Sequence, residues 1–219
     1  MLSIIIFGQQ GAGKGTQSKM LADKFNLEHI EPGRRLREFV ERGGKMGKLV
    51  DSYINQRGKL VPTSFLINNV LKDWIKSLPK NKGVVCDGTP RRLREAKLLE
   101  KMLAANGRII DYVFLVNISE EETYRRLNKR LTCRQCKKVW IEGVDVKLGE
   151  EVCPDDSGEL YKRLDDQNKQ AIKQRLEIYR LETVSSIDYF RNQAKVIDIN
   201  GEQSIEKVHQ DILAKIEKK

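Results

Sequence analysis

Long apolar runs, aromatic rings, histidine and disulfide-scale cysteine are all scarce in this sequence, and each scarcity excludes something. Apolar runs such as residues 4–7 fall far short of the roughly 20 residues that a membrane-spanning helix needs. The N-terminus lacks a basic start, a long apolar stretch and a small-residue cleavage site, so no signal peptide is expected. Aromatics make up 6% of the chain and the basic residues are scattered. A nucleic-acid surface would want stacking rings on a contiguous basic face, so the reading of this chain as a zinc-ribbon nucleic-acid binder is disfavoured. Four cysteines in 219 residues do not make a secreted disulfide scaffold. Internal repeats and low-complexity segments are also missing. A soluble, cytoplasmic and monomeric protein is expected, with neither membrane nor nucleic acid as partner.

What is present fits one sizeable core with insertions. Hydrophobic residues at 39% and charged residues at 33% are ordinary for a globular protein. The net charge of +10 suits an anionic partner or a solvated lysine-rich surface, and does not choose between them. Strand patterns at residues 2–7, 83–86, 109–116 and 195–199 alternate with helical patterns at 14–25, 65–78, 93–105, 119–131, 165–189 and 204–216. Residues 33–42 and 45–57 read as short helices broken at glycines, and 132–164 as a loop-rich insertion. This alternation predicts an α/β fold, with a parallel sheet covered by helices on both faces.

Between the first strand and first helix stands Gly8-Gln9-Gln10-Gly11-Ala12-Gly13-Lys14-Gly15-Thr16. In that context a glycine-rich loop presents consecutive backbone N–H groups to phosphate oxygens, the helix N-terminus adds its positive end, and Lys14 reaches the terminal phosphates. The pattern departs from the general phosphate loop in one place, because Gly15 separates Lys14 from Thr16.

The Gly-Lys-Gly-Thr-Gln ending resembles the adenylate kinases and related nucleoside monophosphate kinases, and the resemblance continues over nearly the whole chain. Gly58-Lys59-Leu60-Val61-Pro62 is similar to the family's loop beside the acceptor nucleotide, and Asp87-Gly88-Thr89-Pro90-Arg91 to its Asp-Gly-Phe-Pro-Arg motif. Arg126 and Arg130 match two arginines on the helix entering the lid, Arg163-Leu164-Asp165-Asp166 resembles the lid's exit, and Arg175 the arginine beyond it, one residue out of register. The resemblance implies a P-loop kinase core at 1–30, 63–131 and 165–219, an acceptor-binding insertion at 31–62, and a lid at 132–164. It implies Mg²⁺ and ATP on Gly11, Gly13, Lys14, Gly15 and Thr16, with Arg126 stacked on the donor base and Gly201 beside it. It places Arg37 and Arg91 on the acceptor phosphate, Val61 and Gly88 along the acceptor, and Arg130, Arg163 and Arg175 around the transferred group. Arginine suits these positions because its planar fork binds phosphate in a bidentate way and stays charged. Asp87, closing a buried strand, is the candidate to hold magnesium's water shell. Asp165 and Asp166 are expected to hold arginines when the lid closes.

Cys133-x2-Cys136 and Cys153-x2-Asp156 form two ligand pairs separated by a loop, a set suited to closed, tetrahedral, structural zinc. The separation resembles the zinc-bearing lids of one branch of the family. Neither His29 nor His209 lies near these positions. Cys86 is expected to be packing only, and Trp140 and Tyr161 to fill the lid interior.

The acceptor half departs from the family. Glu31-Pro32-Gly33-Arg34 stands where Ser-Thr-Gly-Asp is usual, Thr89 replaces phenylalanine, and Glu95 stands where a glutamine reads adenine. Ionised glutamate only accepts hydrogen bonds, so it opposes the ring nitrogen of adenine and matches the paired donors of guanine. Phosphoryl transfer from ATP to AMP is the leading expectation, with GMP or a pyrimidine monophosphate as the rival acceptor.

Overall fold

The computed structural model describes residues 1–163, 166 and 169–217. Its strands in chain order are β1 (Ser3–Phe7), β2 (Glu28–Ile30), β3 (Val84–Asp87), β4 (Tyr112–Asn117), β5 (Arg130–Cys133), β6 (Val139–Ile141), β7 (Leu160–Tyr161) and β8 (Val196–Asn200). β2, β3, β1, β4 and β8 lie side by side in that order, every neighbouring pair parallel. β6, β5 and β7 form a separate antiparallel sheet. Early helices are α1 (Lys14–Phe25), α2 (Pro32–Arg42), α3 (Gly44–Asp51), α4 (Thr63–Leu66) and α5 (Lys72–Lys76). Later ones are α6 (Leu93–Ala105), α7 (Glu120–Asn128), α8 (Lys169–Ile178), α9 (Val184–Arg191) and α10 (Ile205–Ile216). Widened helical turns at Ser52–Gln56, Ile67–Leu71 and Tyr179–Thr183 extend α3, join α4 to α5, and join α8 to α9.

Every residue of β1 is buried, because both faces of the sheet are covered. Side chains alternate across a strand. Ile4 and Ile6 therefore pack with Val85, Phe114 and Val116 against Leu21 of α1 and Ile212 of α10. Ile5 and Phe7 turn the other way, packing with Cys86, Val113 and Leu115 against Leu99 of α6 and Phe190 of α9. Each such side chain, fully removed from water, contributes about 1.5–3 kcal/mol before entropy is counted. Cys86 is plain core, its thiol pushed up to about 12 by burial. Arg108 is buried as well, and donates to the backbone carbonyls of Pro79, Lys82 and Asn106, tying the turn before β3 to the turn before β4.

The elements begin and end for local reasons. Gly13 enters α1 at φ 83°, and Asn26 leaves it at φ 50°, both in the left-handed region. Pro32 opens α2, where its missing N–H costs nothing. The hydroxyls of Ser119 and Ser204 accept from the backbone N–H of Glu122 (3.1 Å) and Lys207 (3.2 Å). Among the described residues no helix is long and apolar enough to cross a membrane.

Several elements differ from the sequence expectation, among them β6 and β7 within the stretch expected to be loop-rich. The helix expected through Leu131 stops at Asn128, and Arg130–Cys133 becomes the central strand of the antiparallel sheet. Its pairing with β6 and β7 outweighs any continuation of the helical period. The strand expected from residue 109 begins at Tyr112, because Asp111 caps the edge of the sheet by accepting from the Ser3 N–H, while Ile109 is exposed. β2 was not expected, since its three residues carry no apolar pattern of their own. The long helical pattern from 165 is present from Lys169; Leu164, Asp165, Gln167 and Asn168 lie outside the described residues.

Candidate active site and metal cluster

The glycine-rich loop follows β1 directly. Gly8, Gly11 and Gly13 all have positive φ, and a β-carbon on Gly8 would stand 2.5 Å from the carbonyl oxygen of Val116. The loop closes on itself: Ala12 N–H donates to the Gln9 carbonyl (3.3 Å), and the Lys14 ammonium donates to the same oxygen (2.8 Å). Gly15 has a steric reason. A β-carbon there would stand 3.3 Å from Asp87 Oδ2, tighter than most contacts, so glycine lets the end of β3 approach the first turn of α1. Desolvation within the loop lowers the Lys14 pKa to about 8, with Asp87 opposing and Arg91, Arg130 and Arg175 reinforcing the shift. These four cations and Asp87 therefore share one electrostatic neighbourhood.

Their supports are specific. Asp166 is buried and stands between two arginines: one oxygen accepts from Arg130 Nε (2.7 Å), the other from Arg175 Nη1 (2.7 Å). The one-residue offset before Arg175 is thus absorbed without separating it from Arg130. Arg163 Nε donates to the Thr132 hydroxyl (3.0 Å) on β5, on the side of the antiparallel sheet. Asp165, expected beside Asp166, lies outside the described residues. Arg126 lies under the loop, donating to the carbonyls of Gly11 (3.2 Å) and Gly201 (2.8 Å) and to Glu122 (2.5 Å). Hydrogen bonds from Arg125 first, and from Arg126, depress Glu122 to about 2. A β-carbon on Gly201 would meet Val116 at 2.7 Å, so packing also demands glycine there. Thr16 is exposed at the start of α1.

On the acceptor side, Arg37 pairs with Glu31 (2.8 Å), and Arg91 Nε donates to the carbonyl of Gly88 (2.9 Å), a residue at φ 62°. Arg34 pairs with Glu38 along α2. Glu95, expected beside the acceptor base, makes its contacts within the protein. Its side chain is buried, one oxygen accepts from the Arg91 N–H (2.8 Å), and the other meets the Thr63 hydroxyl (3.2 Å) and Arg92 (3.4 Å). The reason is local: from the first turn of α6 the glutamate reaches back to the N–H just ahead of the helix and to the side chain of Arg92, which opens it. Arg92 also donates to the Val61 carbonyl (2.7 Å) and pairs with Glu182 (3.0 Å), so Glu95, Arg92 and Val61 form one network. Arg92, three residues before Glu95, is legible in sequence as an ion-pair partner for it, whereas Thr63, Glu182 and His29, whose ring nitrogen stands 3.5 Å from Asp87, had no such signal, because each acts through contacts distant along the chain.

Cys133, Cys136, Cys153 and Asp156 come together in the antiparallel sheet and its turns, every ligand atom within 4.8 Å of the others. Cys136 Sγ and Cys153 Sγ are 3.8 Å apart, far beyond the roughly 2.05 Å of a disulfide. Bonds of about 2.3 Å to sulfur at the tetrahedral angle would separate two thiolates by about 3.8 Å. Cys133 Sγ stands 3.2 and 3.5 Å from the two oxygens of Asp156, near the roughly 3.5 Å of a sulfur and an oxygen on one ion. The Gly158 N–H, foremost, holds the Asp156 carboxyl well below the usual range and so keeps it ionised. The donor set could hold a metal. Trp140 packs beside the cluster under Lys138, and Tyr161 lies under Arg134. At the far end of this unit Lys137 pairs with Glu41 of α2 (3.1 Å).

Replacing Asp166 removes the negative charge between two arginines. Asp166→Asn is expected to cost about 1.5–3 kcal/mol in urea unfolding, the loss of charge-assisted hydrogen bonds from two part-buried arginines. The same exchange at the exposed Asp23 of α1 is expected to cost under about 0.5 kcal/mol in the same measurement.

A family model described as Adenylate kinase matches residues 6–195. An adenylate kinase of Dehalococcoides mccartyi is 37% identical over 216 residues, covering 99% of this chain and 98% of its own. One of Archaeoglobus fulgidus is 35% identical over 217 residues, with 99% of both chains covered. One of Phocaeicola vulgatus is 36% identical over 218 residues, with both chains covered in full. Similarity of this extent, together with a phosphate loop, a converging arginine set and a sheet order that serve one another, places the chain in the adenylate kinase family.

Proposed function

We propose that this protein transfers a phosphoryl group reversibly between ATP and AMP, giving two ADP, and that it does so as a monomer. The observation that carries this reading is the convergence of Lys14, Arg91, Arg130 and Arg175 beside Asp87 at the mouth of the glycine-rich loop. Phosphoryl transfer needs charge placed around an already ionised group more than it needs a general base. The donor phosphates fit the N–H groups of Gly11, Gly13, Gly15 and Thr16, with Lys14 released from the Gln9 carbonyl to reach them. Arg130 and Arg175, oriented by Asp166, surround the transferred group, and Arg163 joins them as the lid moves. Arg37 and Arg91 take the acceptor phosphate, while Val61 and Gly88 border its nucleoside. Arg126 offers its face, and Gly201 its backbone, to the donor base.

Mg²⁺ arriving with ATP supplies charge neutralisation on the donor phosphates, and Asp87 is the residue that would hold its waters. In this reading residues 31–62 form the acceptor arm and 132–164 the lid, with 1–30, 63–131 and 165–219 as the core, in which Arg130 and Leu131 also begin the lid's sheet. Glu95 acts as a positioning residue, fixing Arg92 and the carbonyl of Val61 in place of reading the base. Its charge is spent inside the protein, which leaves AMP as the preferred acceptor. A coupled assay with ATP against AMP, GMP, CMP and UMP is expected to give the highest kcat/KM with AMP. Preference for GMP would return the base-reading role to Glu95.

The lowered pKa of Lys14 gives a second test. In the free protein its charge is lost as pH rises through about 8, whereas bound triphosphate favours the ammonium and raises that value again. ATP binding at pH 8.5 is therefore expected to take up protons, seen by calorimetry in buffers of different ionisation enthalpy, and Lys14→Met is expected to abolish the uptake.

For the cysteine cluster we propose zinc, because three thiolates and a carboxylate at tetrahedral separations suit it best. One zinc per chain is expected by elemental analysis. Chelation is expected to lower the melting temperature and to speed hydrogen exchange in 130–161 before the parallel sheet, since metal binding there contributes directly to local folding.

A further inference from the structure

A second cluster of metal-type ligands lies away from the cysteines. β2 and β3 run parallel with His29 opposite Val85 and Ile30 opposite Cys86, so the next positions along are Glu31 and Asp87. Side chains two apart share a face of a strand, which puts His29 and Glu31 on one side of the sheet edge, beside Asp87. One atom from each, an imidazole nitrogen and two carboxylate oxygens, lies within 4.8 Å of the others.

Two details point to a ligand. His29 Nε2 is shut off from solvent without a hydrogen-bond partner, and its distance to Asp87 Oδ2 is 3.5 Å. A charge-assisted imidazole–carboxylate hydrogen bond would close to about 2.7–2.9 Å. Two ligands on one cation at about 2.0–2.1 Å sit about 3.0–3.4 Å apart, nearer to what is found. Glu31, for its part, occupies the capping position of α2 yet makes no capping hydrogen bond. Its carboxylate turns to the cleft and accepts from Arg37, as a donor commonly steadies a ligating carboxylate.

We propose that His29, Glu31 and Asp87 bind a divalent cation directly, one of the Mn²⁺ or Co²⁺ kind, in the nucleotide-free protein. A mixed nitrogen and oxygen donor set favours such borderline ions over Mg²⁺, which prefers oxygen and keeps its waters. Lys14, in the field of Asp87, and Arg37 are the cations that the ion must share the cleft with. The site stands where Gly15 lets β3 approach the phosphate loop, so the ion would enter beside the donor phosphates and independently of the nucleotide.

The test uses the full, zinc-loaded chain without nucleotide, titrated with Mn²⁺ while free ion is followed by electron paramagnetic resonance. One Mn²⁺ per chain is expected, weakened about tenfold or more by His29→Gln and by Glu31→Ser, and unmoved by Glu41→Ala. Echo-envelope spectra of the unsubstituted protein are expected to show imidazole nitrogen coupled to the bound ion, a readout that needs no variant. Absence of binding below millimolar Mn²⁺, or bound Mn²⁺ without that coupling, overturns the proposal. Neither result touches the choice of AMP, which the acceptor panel decides separately.

Discussion

Mutual repulsion among cations is the condition that the rest of this molecule is arranged around. Arg91, Arg130 and Arg175 all lie close enough to Lys14 to weaken its hold on its proton. Carboxylates make the arrangement tenable. Asp166 stands between Arg130 and Arg175, Asp87 faces Lys14, Glu122 braces Arg126, and Glu31 pairs with Arg37. They come from α7, the end of β3, the start of α2 and the segment before α8, so the cleft is assembled only when the core is. A substrate carrying phosphates enters a field that is already oriented, which is where a positioned charge is worth most.

The parts legible in sequence were those whose cause is local. A strand, a glycine loop and a helix in succession put Lys14 and Gly15 where they stand, and β1, α1 and α6 fall at or within a residue of the expected bounds. Cysteine spacing brought Cys133, Cys136, Cys153 and Asp156 to one place, because turns of two intervening residues leave little choice. Causes distant along the chain were not legible. β2 exists only because β3 offers it an edge, and β5 replaces helix because β6 and β7 pair with it. Arg108 reads as a surface cation, whereas three carbonyls from two separate turns make it core.

Glu95 shows how much a resemblance carried by position alone leaves open. The residue type at that station suggested a choice between adenine and guanine. In the structure its oxygens are taken up by the Arg91 N–H, the Thr63 hydroxyl and the neighbouring Arg92, none of which the motif specifies. Pro32 and Arg34 follow the same pattern. Pro32 is a helix opener, and Arg34 spends its charge on Glu38, so neither substitution speaks about the acceptor by itself.

The contact between Lys137 and Glu41 joins two units to which the proposed function gives different substrates. An ion pair of this exposed kind contributes about 0.2–1 kcal/mol, and only while both units are drawn in. Whatever closes the one makes closure of the other easier by that amount, and the relation holds in both directions. On that proposal donor and acceptor would recruit each other up to about fivefold, a mild cooperativity that rising ionic strength would erase.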